Sequence, residues 1–173
     1  MAIHSEPTTE KATFAAGCFW GVEKAFQKQF KGEYLKTRVG YIGGTDHYPT
    51  YKKVCSGTTH HAEALQIEYT PSEKLNYPSL VEFFYRMHDP TTLNSQGPDR
   101  GTQYRSAIFF HSPEQEQIAM QVTLDVQEKH YKNKRIVTQI APAGQWFDAE
   151  DYHQKYLDKN PHGYECPSHF LRW

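Results

Sequence analysis

Apolar residues recur along this chain in two spacings, which predict an alternation of strands and helices. Short runs with apolar or alternating character predict strands at residues 12–16, 34–42, 62–69, 103–110 and 136–141. Helical spacing follows in residues 22–30, 78–88, 113–132 and, briefly, around 150–157. The order β-α-β-β-α-β, then α-β, matches at its first six elements the split β-α-β plan. We therefore predict an α+β fold, a two-layer ferredoxin-like α/β sandwich with a mixed sheet and a long irregular C-terminal tail.

The first strand runs into the pentapeptide Gly-Cys-Phe-Trp-Gly at residues 17–21, and the first helix leaves it. A glycine turn here puts Cys18 at or just before the first helical turn, where unpaired N–H groups and the positive end of the helix dipole converge. Both favour the thiolate, so we expect a pKa below the usual value of about 8.5. A buried cysteine among core aromatics is the simpler alternative, but the two flanking glycines favour a reactive thiol.

A carboxylate interrupts the apolar face of the third predicted strand. Glu63 shares that face with Leu65, Ile67 and Tyr69. If the strand is covered, burial raises the pKa of this carboxyl and keeps it neutral, as a general acid must be near pH 7. If the strand lies at an edge, Glu63 reaches water instead. Periodicity leaves both possibilities open.

Two long polar segments, residues 45–61 and 89–102, lack a regular pattern, and such loops are usually functional. They carry Tyr51 and Asp99, and Tyr104 follows the second of them. A thiolate nucleophile together with an acid and hydroxyl donors could stabilise a developing oxyanion. The aromatic residues next to Cys18 could hold a small apolar group.

Composition narrows the class of protein. The 173 residues suit one domain, 1–173, with a polar arm at 1–11 and the tail at 142–173. The net charge of −1 gives no indication of nucleic acid, and no apolar run approaches the roughly 20 residues of a membrane helix. The first ten residues lack the apolar stretch of a signal peptide. Three widely spaced cysteines argue against a disulfide framework and favour the reducing cytoplasm.

The pentapeptide at 17–21 resembles the signature of the A-class peptide methionine sulfoxide reductases. The chain is similar to the other blocks of this family, in order, from about residue 13 to its end. These blocks are Gly40-Tyr-Ile-Gly-Gly44, Pro49-Thr-Tyr51, Val54-Cys-Ser-Gly57, His61-Ala-Glu-Ala64, His88-Asp-Pro90, Gln96-Gly-Pro-Asp-Arg-Gly-Thr-Gln-Tyr-Arg-Ser106 and Glu150-Asp-Tyr-His153.

The resemblance implies reduction of the S epimer of methionine sulfoxide, free or in proteins, with no metal or organic cofactor. It implies that Cys18 attacks the sulfoxide sulfur while Glu63 protonates the oxygen. Tyr51 and Tyr104 would hydrogen-bond that oxygen, and Asp99 would support the polar side through water.

For the substrate methyl group, the resemblance implies a pocket made by Phe19 and Trp20. Cys166 stands where several family members keep the resolving cysteine, which forms a disulfide with Cys18 that thioredoxin reduces. The segment around Cys166 has little apolar content, so we expect it to pack weakly and open easily. The expected form is a monomer.

Some positions depart from the family pattern or suggest other functions. His60 stands where the family usually has glycine. We interpret Cys55 as a small buried residue that fills space in the core and is not a redox partner. We interpret His61 as a structural histidine. Two other classes compete with the reductase: a cysteine hydrolase that uses His61 or His88, and a non-catalytic metal-binding module, against which the cysteine spacing argues.

Overall fold

The computed structural model describes residues 8–173. Its strands are β1 Glu10–Ala16, β2 Leu35–Ile42, β3 Ala62–Tyr69, β4 Ser95–Gln96, β5 Asp99–Arg100, β6 Ser106–Phe110, β7 Gln139–Pro142 and β8 Phe147–Asp148. Its helices are α1 Phe19–Gln29, α2 Tyr51–Cys55, α3 Tyr77–Met87, α4 Pro113–His130 and α5 Tyr156–Lys159, with 3-10 turns at Thr102–Tyr104 and Asp151–His153. Residues 1–7 of the predicted polar arm lie outside the described residues.

The main sheet has six strands in the order β7-β6-β1-β3-β2-β8. Its inner four strands, β6-β1-β3-β2, pair antiparallel in the order of a ferredoxin-like sandwich. The sheet is mixed because β7 runs parallel to β6. The predicted fold class is confirmed, whereas the single domain spanning 1–173 stays a prediction. Within residues 8–173, no helix has the length and apolar character needed to cross a membrane.

The main core lies between the sheet and the layer formed by α1, α3 and α4. Phe14 of β1 sits at its centre, with ring centroids 5.5 Å from Phe26 of α1 and 5.3 Å from Phe84 of α3. The opposite face of the sheet carries smaller side chains, such as Ala64 and Ala107. Residues of this face are also buried, packed against partly buried residues such as Ala141 and Trp146.

Each outer edge of the sheet is covered or blocked over part of its length. At one edge β8 pairs only with Gly40 and Tyr41 of β2. Val39, which precedes Gly40 in β2, is hydrogen-bonded by a side chain. The Gln154 amide accepts from the Val39 N–H at 2.9 Å and donates to the Val39 C=O at 2.8 Å. At the other edge β7 ends on Pro142, which has no N–H to offer.

The two predicted loops contain short regular elements. Residues 51–55 form α2, and the Thr50 hydroxyl caps it by accepting from Lys53 N–H at 3.3 Å. Residues 95–100 contain the β4–β5 pair. Five-residue and two-residue elements show no hydrophobic period, which is why the pattern of apolar residues missed them. Similarly, the strand predicted from residue 103 begins at Ser106, after a 3-10 turn.

Candidate active site

Cys18 lies at the junction of β1 and α1, as the sequence predicted. It is the N-cap residue of α1 and is buried, with 8 % of its surface exposed. The turn depends on Gly17, whose φ of +93° is a left-handed conformation that other residues rarely adopt. A Cβ atom on Gly17 would also lie 2.8 Å from the Gln96 side chain. The sequence of this turn therefore holds the thiol in a closely packed corner.

Glu63 is buried beside this turn, with 1 % of its surface exposed. Because β3 lies between β1 and β2, the alternative of an edge position is wrong. Oε1 accepts a hydrogen bond from the Phe19 N–H at 3.3 Å, and Oε2 has no partner among residues 8–173. Desolvation raises the pKa of this carboxyl to about 8. Glu63 is therefore a neutral carboxylic acid at pH 7, and its Oε2 is a buried oxygen without a hydrogen-bond partner among the described residues.

The raised pKa of Glu63 makes the folded state less stable at alkaline pH. The unfolded carboxyl loses its proton near pH 4.5 and the folded one near pH 8, so between these values the folded state binds more protons and loses stability as pH rises. Each pKa unit corresponds to about 1.4 kcal/mol. We expect Glu63→Gln, which cannot titrate, to gain free energy of unfolding relative to the parent from pH 5 to pH 9. Urea unfolding at several pH values measures this gap, and a gap independent of pH would contradict the assigned environment.

The Cys18 thiol does not have the lowered pKa that its helix position predicts. Burial raises the pKa most, and Glu63 raises it further once it is ionised above about pH 8. The Trp20 N–H in the first turn does lower it, as expected for a helix N-terminus, but the effect of burial is larger. The prediction of a thiolate in the free protein is therefore wrong. At neutral pH this corner holds a thiol next to a carboxylic acid.

Two tyrosine hydroxyls and a carboxylate complete the polar side. Tyr51 begins α2 and Tyr104 ends a 3-10 turn, and both are half-buried. Burial raises the pKa of both phenols, and Glu63 raises it further once it is ionised above about pH 8. Both are therefore neutral O–H donors close to Glu63. The negative charge of Asp99, in β5, also raises the pKa of Glu63 and of Cys18, and its carboxylate accepts from the Tyr164 hydroxyl at 3.2 Å.

The aromatic residues next to Cys18 have different environments. Phe19 is fully buried, whereas Trp20 is half-buried and stacks on Tyr156 with ring centroids 3.8 Å apart. The Trp20 indole N–H donates to Nδ1 of His153 at 2.9 Å. This bond fixes the orientation of the indole plane at the site.

Sequence reasoning gave no role to two residues that support the site. His153 is fully buried, and its ring lies 5.2 Å from the Phe19 ring and 4.4 Å from the Tyr51 ring. Glu150 accepts from the Tyr51 N–H at 3.2 Å. Both belong to a block that carried the family resemblance, which was the available signal.

Cys166 is buried, with 3 % of its surface exposed, although its neighbours Glu165 and Pro167 are exposed; that the segment opens easily stays a prediction. Its S–H points to the Gln96 carbonyl at 3.6 Å. Gln96 in turn lies against the turn that carries Cys18, because a Cβ atom on Gly17 would be 2.8 Å from its side chain. All three cysteines, Cys18, Cys55 and Cys166, are free thiols. The structure therefore shows the tail docked in the reduced protein.

Of the remaining sequence interpretations, the structure contradicts one and confirms another. Cys55 is exposed at the end of α2, so its assignment as a buried filler is wrong. His61 accepts from the Gly44 N–H at 2.9 Å and contacts the Asp46 carbonyl at 2.7 Å, which confirms its structural role. His60 has a φ of +59°, the conformation for which the glycine of the family is suited.

The histidines proposed for a hydrolase are engaged in structural contacts. Both ring nitrogens of His61 are occupied by backbone groups. His88 is fully buried, lies 2.7 Å from the Ser106 hydroxyl, and has its pKa lowered to about 3 by burial. Neither ring hydrogen-bonds to Cys18. Among residues 8–173, no group of three or more His, Cys, Asp or Glu side chains is placed to hold a metal ion.

The fold and this corner define a class of protein, a thiol-dependent enzyme built on an α+β sandwich. A family model described as "Peptide methionine sulfoxide reductase" matches residues 10–171. The chain belongs to this family, and it is an oxidoreductase that reduces methionine sulfoxide in a thiol-dependent reaction. The comparisons support neither the hydrolase nor the metal-binding module.

Individual relatives cover nearly the whole chain. The "Probable peptide methionine sulfoxide reductase" of Schizosaccharomyces pombe is 62 % identical over 165 residues, which cover 94 % of this chain and 96 % of the relative. The crystal structure of Mxr1 from Saccharomyces cerevisiae in reduced form has a TM-score of 0.90 at 44 % identity, covering 99 % of this chain and 96 % of that one. Mxr1 in complex with Trx2 has a TM-score of 0.66 at 31 % identity, with 99 % and 96 % covered.

Proposed function

We propose that this enzyme reduces the S epimer of methionine sulfoxide, free or in proteins, with Cys18 as the nucleophile and Glu63 as the acid. The observation that carries the proposal is the neutral, buried Glu63, whose Oε1 is bound to the backbone of Phe19 while Oε2 is free. Such a site suits the repair of oxidised methionine, because the sulfoxide oxygen is a poor leaving group until it is protonated.

Cys18 and Glu63 would together supply the electrons and the proton that reduction of the sulfoxide requires. As the Cys18 sulfur bonds to the sulfoxide sulfur, Glu63 gives its proton to the oxygen. Methionine departs as the oxygen moves to Cys18, which becomes a sulfenic acid. The thiol proton of Cys18 restores Glu63. Methionine is reduced by two electrons, and the cysteine sulfur is oxidised by two.

The raised pKa of Cys18 would protect the free enzyme before substrate binds. A thiol that stays protonated in the free enzyme is protected from other oxidants, because the thiolate is the reactive form. The oxygen would accept hydrogen bonds from the hydroxyls of Tyr51 and Tyr104, which are neutral because burial raises their pKa. Asp99 would order water on this side, since it lies within electrostatic reach of both reacting groups.

The methyl group of the substrate would lie against Phe19 and Trp20. Phe19 is rigidly buried, and the Trp20 ring is held by Tyr156 and by its hydrogen bond to His153. A fixed apolar wall on one side and oxygen donors on the other define two of the substituents on the sulfur. With the methyl group and the oxygen fixed, the rest of the methionine, which is the third substituent on the sulfur, can extend in one direction only.

We expect this arrangement to give strict selectivity for one epimer. An enzyme that fixes three substituents around a chiral sulfur cannot place both epimers for attack by the same thiol. Turnover of the separated S and R epimers of an N-acetylated methionine sulfoxide, with a thioredoxin system as reductant, measures this. We expect the S epimer alone to be reduced, and comparable rates on the R epimer would contradict the assignment of the pocket.

Cys166 would complete the cycle. The sulfenic acid on Cys18 reacts with the Cys166 thiol to form a disulfide and release water, and thioredoxin reduces that disulfide by thiol exchange. Two observations support this: Cys166 lies within electrostatic reach of Cys18, and a solved relative, Mxr1, was crystallised with Trx2. We further propose that the enzyme acts as a monomer in the cytoplasm, where thioredoxin and free thiols coexist, and uses no metal or organic cofactor.

A further inference from the structure

His169, in the C-terminal tail, is bonded to the end of the strand that carries the reactive turn. Its Nε2 lies 2.7 Å from the carbonyl oxygen of Ala16, the last residue of β1. A carbonyl can only accept, so Nε2 is the protonated nitrogen of the ring. Nδ1 is buried without a hydrogen-bond partner among residues 8–173. Burial lowers the pKa of this imidazole, which keeps it neutral and preserves the single N–H.

The ring fits a space left by the two glycines that flank the Cys-Phe-Trp motif. A Cβ atom on Gly21 would lie 2.5 Å from Nδ1 of His169, and one on Gly17 would lie 3.4 Å from Nε2. Gly21 lies inside α1 and has no positive φ, so helix geometry does not require glycine there. Its lack of a side chain is explained by the close approach of His169.

His169 also lies three residues after the resolving cysteine, in one hydrogen-bonded segment. The Ser168 hydroxyl donates to the Gln96 side chain at 2.9 Å, and Cys166 S–H points to the Gln96 carbonyl. The His169 N–H donates to the Cys166 carbonyl at 3.0 Å, closing a turn. The contact with Ala16 therefore links the backbone that carries Cys166 directly to the backbone that carries Cys18.

We propose that His169 is a positioning residue for the resolving step: its bond to Ala16 and its fit against Gly21 hold the tail so that Cys166 lies beside Cys18. This inference rests on the resolving role of Cys166 proposed above. His169 takes no part in the attack on the sulfoxide. It acts on the next step, in which the Cys18–Cys166 bond forms and the sulfenic oxygen leaves as water.

Three variants in the full-length enzyme test this: His169→Ala, His169→Gln and His169's matched control, His162→Ala. Glutamine can still donate an N–H to Ala16, and His162 is exposed in the same tail. Reduced enzyme is mixed with one equivalent of S-epimer sulfoxide and quenched at intervals. Mass spectrometry then follows methionine release, the dimedone-trapped sulfenic acid and the Cys18–Cys166 disulfide.

For His169→Ala we expect methionine release at the parent rate and disulfide formation slower by about tenfold or more, the ratio that a lost buried hydrogen bond implies. Sulfenic acid should accumulate. His169→Gln should recover part of the rate, and His162→Ala should match the parent. A loss of methionine release in His169→Ala would overturn the inference in favour of a general structural role.

Gly21→Ala gives a second, independent test, because alanine is the better helix former and the variant should fold. Its methyl group would displace His169, so we expect slowed disulfide formation here too. The double variant Gly21→Ala/His169→Ala should be no slower than His169→Ala alone. Additive effects would overturn the inference.

The two proposals fail in different ways. If the parent forms no Cys18–Cys166 disulfide at all, the resolving role of Cys166 is wrong and the role of His169 falls with it. If the parent forms this disulfide and His169→Ala forms it at the same rate, only the inference about His169 is wrong.

Discussion

Glu63→Gln is expected to slow the release of methionine in the first turnover by about 10²–10⁴-fold, the usual contribution of general acid catalysis. Glutamine keeps the shape of the side chain and an oxygen that can accept from the Phe19 N–H, the bond that Glu63 Oε1 makes at 3.3 Å. It has no carboxyl proton to transfer to the sulfoxide oxygen. Rapid quench with excess enzyme over substrate isolates this step from thioredoxin.

Glu68→Gln is the matched control, since this carboxylate lies on the same strand but is more exposed and outside the site. It should keep the parent rate. A first turnover near the parent rate in Glu63→Gln would show that another group protonates the oxygen. The same variant should be more stable than the parent at high pH, so a slow variant that has merely unfolded is distinguishable from one that lacks its acid.

Cys166→Ser is expected to abolish steady-state turnover with thioredoxin while the first turnover stays intact. Cys18 and Glu63 suffice for the attack on the sulfoxide, so about one methionine per enzyme should be released. Without a second thiol, the sulfenic acid on Cys18 has no internal partner, and thioredoxin has no disulfide to reduce. A small thiol such as dithiothreitol should restore part of the activity, because it can reach Cys18 directly.

Cys55→Ser is the control for this experiment and should leave both the first turnover and steady-state turnover nearly unchanged. Cys55 is exposed and lies at the C-terminal end of α2. Peptide mapping of the parent after one equivalent of substrate should find Cys18 bonded to Cys166. A Cys18–Cys55 disulfide, or full thioredoxin-dependent turnover in Cys166→Ser, would contradict the proposed role of the tail.

The main elements of the fold followed from the pattern of apolar residues because they are long enough to show a period. Strand β3 was predicted with its observed bounds, and α3 within one residue at each end. The short helix α2 has five residues and shows no such period. What places α2 is the N-cap of Thr50 and the bond from the Tyr51 N–H to Glu150. That partner is distant in sequence, so local reasoning could not find it.

The site was predictable in its residue types but not in its electrostatics. Periodicity put Glu63 on an apolar face, and only the sheet order, with β3 inside, shows that the face is covered. The helix N-terminus lowers the pKa of Cys18, as the sequence predicted, but burial of the turn raises that pKa by more. In the folded chain Cys166 contacts Gln96, and His169 contacts Ala16 at the start of the turn. Pairwise contacts of this kind leave no spacing signal in the sequence.

The hydrogen bonds between Val39 and the Gln154 amide affect whether a partly unfolded polypeptide can pair with the edge of this sheet. An uncovered strand edge is a template on which a partly unfolded chain can add a strand and start an aggregate. Here the N–H and C=O of Val39 are both occupied by a side chain, β8 covers the two residues beyond it, and the far edge ends on Pro142. If oxidised polypeptides are among the substrates, as proposed above, covering these positions leaves fewer backbone groups on which a partly unfolded substrate chain could add a strand.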